Sequence, residues 1–234
     1  MRHSSALLSH QGHVRARNED SCTGVPEAGL WVVTDGMGGH ADGHVASRLA
    51  TETIVQAIGT GQSLPNAIAR AQARLLEAMS NGEGEHGMGT TVVVLQIKGS
   101  AFELAWVGDS RAYLLRDGLR PLTRDHSLVQ EWMEAGLLTP EQARVDPRRN
   151  IITRALGLDD PTQTLPEAIF GELQAGDALL LCTDGLSNEL DDTTIEALLG
   201  EAGTEEQRVQ RLVDAALKAG GRDNITVALI QMEG

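Results

Sequence analysis

Leu30-Trp31-Val32-Val33-Thr34-Asp35-Gly36-Met37-Gly38-Gly39-His40 runs from an apolar stretch straight onto a carboxylate and a glycine turn. Short continuous apolar runs bounded by glycine read as strands buried on both faces. The plan recurs far downstream in Ala178-Leu179-Leu180-Leu181-Cys182-Thr183-Asp184-Gly185-Leu186, where apolar residues again lead into Thr-Asp-Gly. Asp35 and Asp184 are therefore expected at the ends of central strands. Two more aspartates follow the same rule. Asp109 closes Leu104-Ala105-Trp106-Val107-Gly108, and Asp223 stands just ahead of Asn224-Ile225-Thr226-Val227-Ala228-Leu229-Ile230.

A two-sheet fold can bring four such strand ends to one rim, and no cluster of Lys or Arg adjoins them in sequence to neutralise them. Carboxylates held close together repel, so the gathering requires protonation or a cation between them. Oxygen donors without Cys or His partners suit Mg²⁺ or Mn²⁺ better than Zn²⁺. Asp-Gly is also a common turn pair that carries no chemistry. Asp117-Gly118, between Leu114-Leu115-Arg116 and Leu119-Arg120-Pro121-Leu122, reads as a plain hairpin turn of that kind.

The 234 residues suit one larger domain. A net charge of −14 makes nucleic acid or an anionic membrane a poor partner. Aromatic residues are 3% of the chain, which leaves little surface for stacking bases and a core of Leu, Val, Ile and Ala. Two cysteines, Cys22 and Cys182, are too few for a disulfide framework and fit a reducing cytoplasm. The first ten residues lack a signal-peptide core, and no stretch approaches the ~20 apolar residues of a membrane span. A soluble, cytoplasmic monomer is expected.

Along the chain, residues 6–34 read as short strands around the charged segment 11–20. Val45, Ala46, Leu49, Ala50, Thr53, Ile54, Ala57 and Ile58 mark one face of a helix, and Pro65 with Ile68, Ala71, Leu75, Leu76 and Met79 a second. Strands at 90–98, 101–107, 111–116 and 119–123 have the spacing of a meander. Residues 127–150 break away with two capping-box signatures, at Ser127 and Thr139. Strands at 165–173 and 177–183, helices at 192–199 and 204–219, and a strand at 224–232 finish the chain. The lack of βαβ alternation disfavours a parallel sheet. The order points to an α+β fold: a central antiparallel β-sandwich flanked by helix pairs, in one domain over 1–234 with a small flap subdomain at about 127–150.

Taken together, the motifs resemble those of the metal-dependent PPM, or PP2C-type, serine/threonine protein phosphatases in their compact bacterial form. The resemblance rests on Arg15-Ala16-Arg17-Asn18-Glu19-Asp20, Thr34 to His40, Gly89-Thr90-Thr91, Val107-Gly108-Asp109-Ser110-Arg111-Ala112-Tyr113, Asp125-His126-Ser127, Ile152-Thr153-Arg154-Ala155-Leu156-Gly157, Cys182 to Leu186, and Gly221-Arg222-Asp223-Asn224-Ile225-Thr226. It implies that Asp35 bridges two Mg²⁺ or Mn²⁺ ions, that the Gly36 carbonyl, Asp184 and Asp223 complete their shell with waters, and that Asp109 with Asp184 holds a third. Glu19 and Asp20 would orient metal-bound waters, and Arg15 would grip the substrate phosphate. Asn224 and Thr34 look like supports, while Arg17 and Arg222 read as solvated surface.

The implied activity is hydrolysis of phosphoserine and phosphothreonine by direct attack of a metal-bridging hydroxide, reversing a cognate bacterial Ser/Thr kinase. Neither cysteine has the downstream Arg of a Cys-x5-Arg phosphatase. Many eukaryotic members carry a His directly after the Asp-Gly, where this chain has Met37. The general acid is then a metal-bound water, His40 or His126, and either His is also readable as a structural hydrogen-bonder. The flap would shape substrate choice and gate entry. One alternative is a catalytically silent member that senses phosphoproteins or metals; another is a partner-switching phosphatase acting on a single anti-sigma-factor antagonist.

Overall fold

A computed structural model of the chain describes residues 2–38 and 42–233; His40, with Gly39 and Ala41 on either side, lies outside the described residues. In chain order the strands are β1 (His3–His10), β2 (Asp20–Val25), β3 (Leu30–Met37), β4 (Gly89–Thr90), β5 (Val92–Lys98), β6 (Ala101–Val107), β7 (Arg111–Leu115), β8 (Leu119–Pro121), β9 (Glu167–Glu172), β10 (Ala178–Cys182) and β11 (Ile225–Met232). The helices are α1 (Gly43–Gly59), α2 (Leu64–Ser80), α3 (Leu128–Glu134), α4 (Pro140–Val145), α5 (Asp184–Ser187), α6 (Asp192–Gly200) and α7 (Glu205–Ala219). The strands form two antiparallel sheets, β1-β11-β10-β7-β8 and β2-β3-β5-β6-β9, with β4 added beside β3.

Alternation along the central strands builds the layers. In β3, Trp31 and Val33 enter the apolar core between the sheets with Leu179, Leu181, Ala228 and Ile230. Leu30 and Val32 point the other way, onto Ile54, Leu64, Ile68 and Leu75 of α1 and α2. On the far side, Leu180, Cys182, Val227 and Leu229 meet Ile195, Leu199, Val209, Leu212 and Val213 of α6 and α7. The fold is therefore the expected four-layer sandwich. Each central strand is apolar on both faces because each face has its own cover.

The helices begin where their sequence signals place them. Pro65 lies in the first turn of α2, and Thr204 and Gln207 close a reciprocal box at the start of α7. Thr139 and Gln142 do the same for α4. At α3 only half of that device is present, the Gln130 N–H donating to Ser127 Oγ at 3.4 Å. Asp117 takes a left-handed φ of 50° in the β7–β8 turn, and Gly118 beside it is also at positive φ, so this pair is the hairpin turn expected of it.

Two expectations need correction. β3 does not stop at Asp35: it continues to Met37, because Gly36 and Met37 pair with Thr90 and Gly89 of β4. The expected strand at 90–98 is correspondingly split at Thr91. Asp184 is not on its strand but opens the one-turn helix α5, with Thr183 as N-cap.

Candidate active site

The four aspartates converge. Asp35, Asp109, Asp184 and Asp223 line one cleft of about 270 Å³, together with Arg15, Glu19, Gly36, Met37, Thr91 and Asn224. β3 delivers Asp35, the β6–β7 turn Asp109, the start of α5 Asp184, and the approach to β11 Asp223. Both sheets thus contribute, and their strand ends open on the same rim.

Asp35 is held by its backbone. Its N–H donates to Thr91 Oγ1 at 3.1 Å, and its carbonyl accepts from the Thr91 N–H at 2.9 Å and Thr90 Oγ1 at 2.9 Å. Gly89-Thr90-Thr91 is thus the clamp that leaves the Asp35 carboxylate free for the cleft. Thr34, fully buried, donates to the Ser21 and Ser47 carbonyls and meets Thr51 Oγ1 at 3.0 Å.

The Thr-Asp-Gly glycines are not turn glycines. Neither Gly36 nor Gly185 is at positive φ. A Cβ on Gly36 would run into the Gly43 carbonyl and one on Gly185 into the Asn224 carbonyl, so both positions need hydrogen because another backbone lies against them. Asn224 ties the segments together: its Oδ1 accepts from the Glu19 N–H at 2.8 Å, and its Nδ2 donates to the Gln11 and Arg17 carbonyls at 2.8 and 3.0 Å.

Asp20 lies behind Asp35, its β2–β3 pairing partner. One carboxylate oxygen accepts from Thr183 Oγ1 at 2.9 Å and Thr226 Oγ1 at 2.6 Å, while Oδ1 is buried with no hydrogen-bond partner among the described residues. Burial, reinforced by Asp184 and Asp223, pushes the Asp20 carboxyl up to about 7. The same cause raises Asp184 to about 6, with Asp223 adding to it. Asp35 rises well above the usual carboxylate range, through burial and then the charges of Asp20, Asp184, Asp109 and Asp223. Asp109 rises likewise, through burial and then Asp184. A crowd of oxygen donors that cannot all ionise by themselves, with an orphaned carboxylate oxygen among them, fits a hard divalent cation. Among the described residues no three His, Cys, Asp or Glu side chains already form a closed metal cage. Carbonyl oxygen and water would have to complete such a site, as hard cations commonly require.

Arg15 is the one positive group among the described residues that line this cleft, and it changes the charge balance expected from sequence. Its guanidinium makes a bidentate pair with Asp223, Nε to Oδ1 at 2.7 Å and Nη2 to Oδ2 at 2.6 Å. Asp223 is thus neutralised by a residue 208 positions away. Arg222 is not merely solvated either: its Nη1 lies 3.2 Å from Glu189, whose side chain is only 4% exposed. Arg17 contacts His44.

His126 stands apart from the cleft. It is buried, its ring stacks on Trp106 with centroids 6.2 Å apart, Nδ1 accepts the Gly108 N–H at 3.0 Å, and Nε2 donates to Glu167 at 3.2 Å. Its backbone N–H returns a bond to the Gly108 carbonyl at 2.9 Å. Both ring nitrogens are engaged, Nδ1 in holding the turn that carries Asp109 and Nε2 on Glu167 of β9, and burial lowers the imidazole pKa. The general acid expected at His40 or His126 is therefore not supplied to the cleft by His126. The cysteines are no nucleophiles: burial pushes Cys22 up to about 11 and Cys182 to about 12.

Two residues to which the sequence assigned no role lie next to the cleft. Asn150, at the end of the flap, and Ile152 just beyond it form part of its wall. A second cavity of about 470 Å³ lies between the flap and the α5–α6 segment, and Asp109 and Asp184 line both spaces.

Two facing sheets with helix pairs outside and a carboxylate cleft at the sheet rim define the protein phosphatase 2C class, whose family model matches residues 9–219. The chain belongs to this family. It is 41% identical over 234 residues to the serine/threonine protein phosphatase PstP of Mycobacterium tuberculosis, covering 96% of this chain but only 44% of that protein. It is 38% identical to the protein phosphatase PhpP of Streptococcus pneumoniae, covering 97% and 96% of the two chains. The crystal structure of mycobacterial PstP superposes with a TM-score of 0.92 at 36% identity over both whole chains. The catalytic domain of PstP in complex with two manganese ions gives 0.89 at 34% identity, covering 99% of each.

Proposed function

We propose that this chain is a protein-serine/threonine phosphatase that hydrolyses phosphoserine and phosphothreonine in proteins with bound Mn²⁺ or Mg²⁺. The observation that carries this is the convergence of Asp35, Asp109, Asp184 and Asp223 with Arg15 in one cleft. Manganese in the related PstP domain supports the choice of ion. Asp35, the Gly36 carbonyl, Asp184 and Asp223 would hold two ions, and Asp109 with Asp184 a third, with Glu19 and Asp20 orienting the water around them. The ions, when bound, supply the Lewis acidity that activates water and offsets charge on the phosphoryl group.

The chain's own residues do the remainder. Arg15 projects its planar fork at the cleft mouth, where a phosphoryl dianion competes for it with Asp223. Buried Thr34, Thr90, Thr91 and Asn224 keep the carboxylates in place, so little reorganisation accompanies reaction. Met37 cannot deliver a proton to the departing serine or threonine oxygen, which leaves water or His40 for that task. His40→Ala with an unchanged pH–rate profile on a phosphopeptide would assign it to water.

The same reading takes residues 1–234 as one catalytic domain whose flap, about 127–150, gates the cleft. It places the protein in the bacterial cytoplasm as a monomer opposing a Ser/Thr kinase; among the described residues no helix is long and apolar enough to cross a membrane. Hydrolysis of p-nitrophenyl phosphate should require Mn²⁺ and disappear in Asp35→Ala and in Asp184→Ala. Metal-independent turnover, or activity surviving both changes, would refute the assignment.

A further inference from the structure

Glu189 carries a buried carboxylate that does not line the cleft. Both of its oxygens are taken by one residue. Oε1 accepts the Arg222 backbone N–H at 3.0 Å, and Oε2 accepts from Arg222 Nη1 at 3.2 Å. Arg222 is the residue directly before Asp223. The carboxylate reaches that backbone because Gly220 has no side chain: a Cβ there would lie 3.0 and 3.1 Å from the two oxygens.

The two ends of this contact belong to two cleft aspartates. α5 begins at Asp184, the Asn188 N–H donates to the Asp184 carbonyl at 2.7 Å, and the Glu189 N–H donates to the Leu186 carbonyl at 3.2 Å. One helical turn thus carries both Asp184 and Glu189. The 220–223 segment is held on another flank by the amino-terminal loop, where the His13 N–H donates to the Gly221 carbonyl at 2.7 Å. Glu189 supplies the grip from the side of Asp184.

Resting on the phosphatase reading, we propose that Glu189 is a positioning residue for the metal site: by gripping the Arg222 backbone from the turn that begins at Asp184, it sets the spacing of Asp184 and Asp223 and hence the affinity for Mn²⁺. Two carboxylates that repel each other keep a fixed spacing only if their backbones are fastened. Arg15 holds the Asp223 carboxylate directly, but a phosphoryl group competes for the same fork, so the hold that persists through turnover is on the backbone. The N–H bond is the operative half of the contact. The Arg222 guanidinium is exposed, and solvent screens its pair with Glu189.

The test is calorimetric titration of the full chain with Mn²⁺ in the absence of substrate. Glu189→Asp keeps the charge but is one methylene short of the N–H, and it should weaken Mn²⁺ binding about 10–100-fold, the usual cost of losing a partner behind a metal ligand. Glu189→Ala should do the same. Glu189→Gln keeps an acceptor for the N–H, and Arg222→Ala leaves the backbone bond in place, so both should bind Mn²⁺ as the wild type does. On p-nitrophenyl phosphate, Glu189→Asp should lose rate at limiting Mn²⁺ and regain it at saturation; a rate that stays depressed at saturation would mark a general folding defect and overturn the inference. Unchanged Mn²⁺ affinity in Glu189→Asp, or an equal loss in Glu189→Gln or Arg222→Ala, would also overturn it while leaving the phosphatase reading intact, and these comparisons stand even if Glu189→Ala does not fold. A wild type that binds no Mn²⁺ would overturn both.

Discussion

Gly36 and Gly185 show how tightly single residues are constrained here. Each follows a cleft aspartate, and each lies where a distant backbone carbonyl, of Gly43 at the start of α1 or of Asn224 just before β11, occupies the space a Cβ would take. Gly36→Ala should destabilise the fold by about 1–3 kcal/mol through forced backbone shifts, read as a lower urea midpoint, and should abolish metal-dependent turnover. The sequence showed the motif but suggested a turn, because a glycine required by close approach is indistinguishable in one dimension from one required by φ. His126 gives a second residue-scale expectation. Burial holds its folded pKa below the unfolded value of about 6.5, so the unfolded chain binds the extra proton and native stability falls as pH drops below about 6.5. His126→Gln cannot titrate, so the difference in urea stability between wild type and variant should shrink from pH 7.5 to pH 5. Its pH–rate profile on a phosphopeptide should keep the wild-type shape, because the ring lies outside the cleft.

Helices and strands with long periodic patterns were legible almost to the residue. α1, α2, α6, α7, β6 and β11 end within two residues or so of where apolar spacing and caps put them. What escaped were elements too short to carry a period: β4 depends on two residues of β3 for its pairing, and α5 is a single turn anchored by Thr183. Caps are local chemistry, so their consequences are predictable at this scale. Thr204→Ala removes the acceptor for the Gln207 N–H and should cost about 1 kcal/mol, seen as a lower urea midpoint with an unchanged slope. The flap is the element in which local signals say least about purpose. Its two short helices were expected from their caps, but the cavity they form with α5–α6, and the position of Arg149 within it, depend on a packing partner more than 30 residues away.

Across the whole molecule the governing quantity is charge held in the cleft. Asp20, Asp35, Asp109 and Asp184 all have folded pKa values above their unfolded ones. In the metal-free protein the native state therefore holds protons the unfolded chain has released, and stability should decline as pH rises from about 4 through the values near 6 and 7. Urea unfolding in EDTA at pH 5 and pH 7.5 checks this, and Asp35→Asn should flatten the dependence. Mn²⁺ at about 100 times its Kd should add about 2.7 kcal/mol, a rise in Tm of roughly 5–10 °C for a domain of this size. Asp184→Ala should lose most of that rise.

From the residues alone came the sandwich with its helix pairs, four aspartates within two residues or so of strand ends, and the inference that they need a hard cation to be together. These follow from period, capping and donor chemistry, which are properties of short stretches. Only the tertiary structure decided that Arg15 neutralises Asp223, that His126 props a turn instead of facing the cleft, and that Arg149 lines the neighbouring cavity with no side-chain partner among the described residues. Such facts depend on which groups meet across hundreds of residues, and the free energy of an ion pair or a buried ring is set by those encounters.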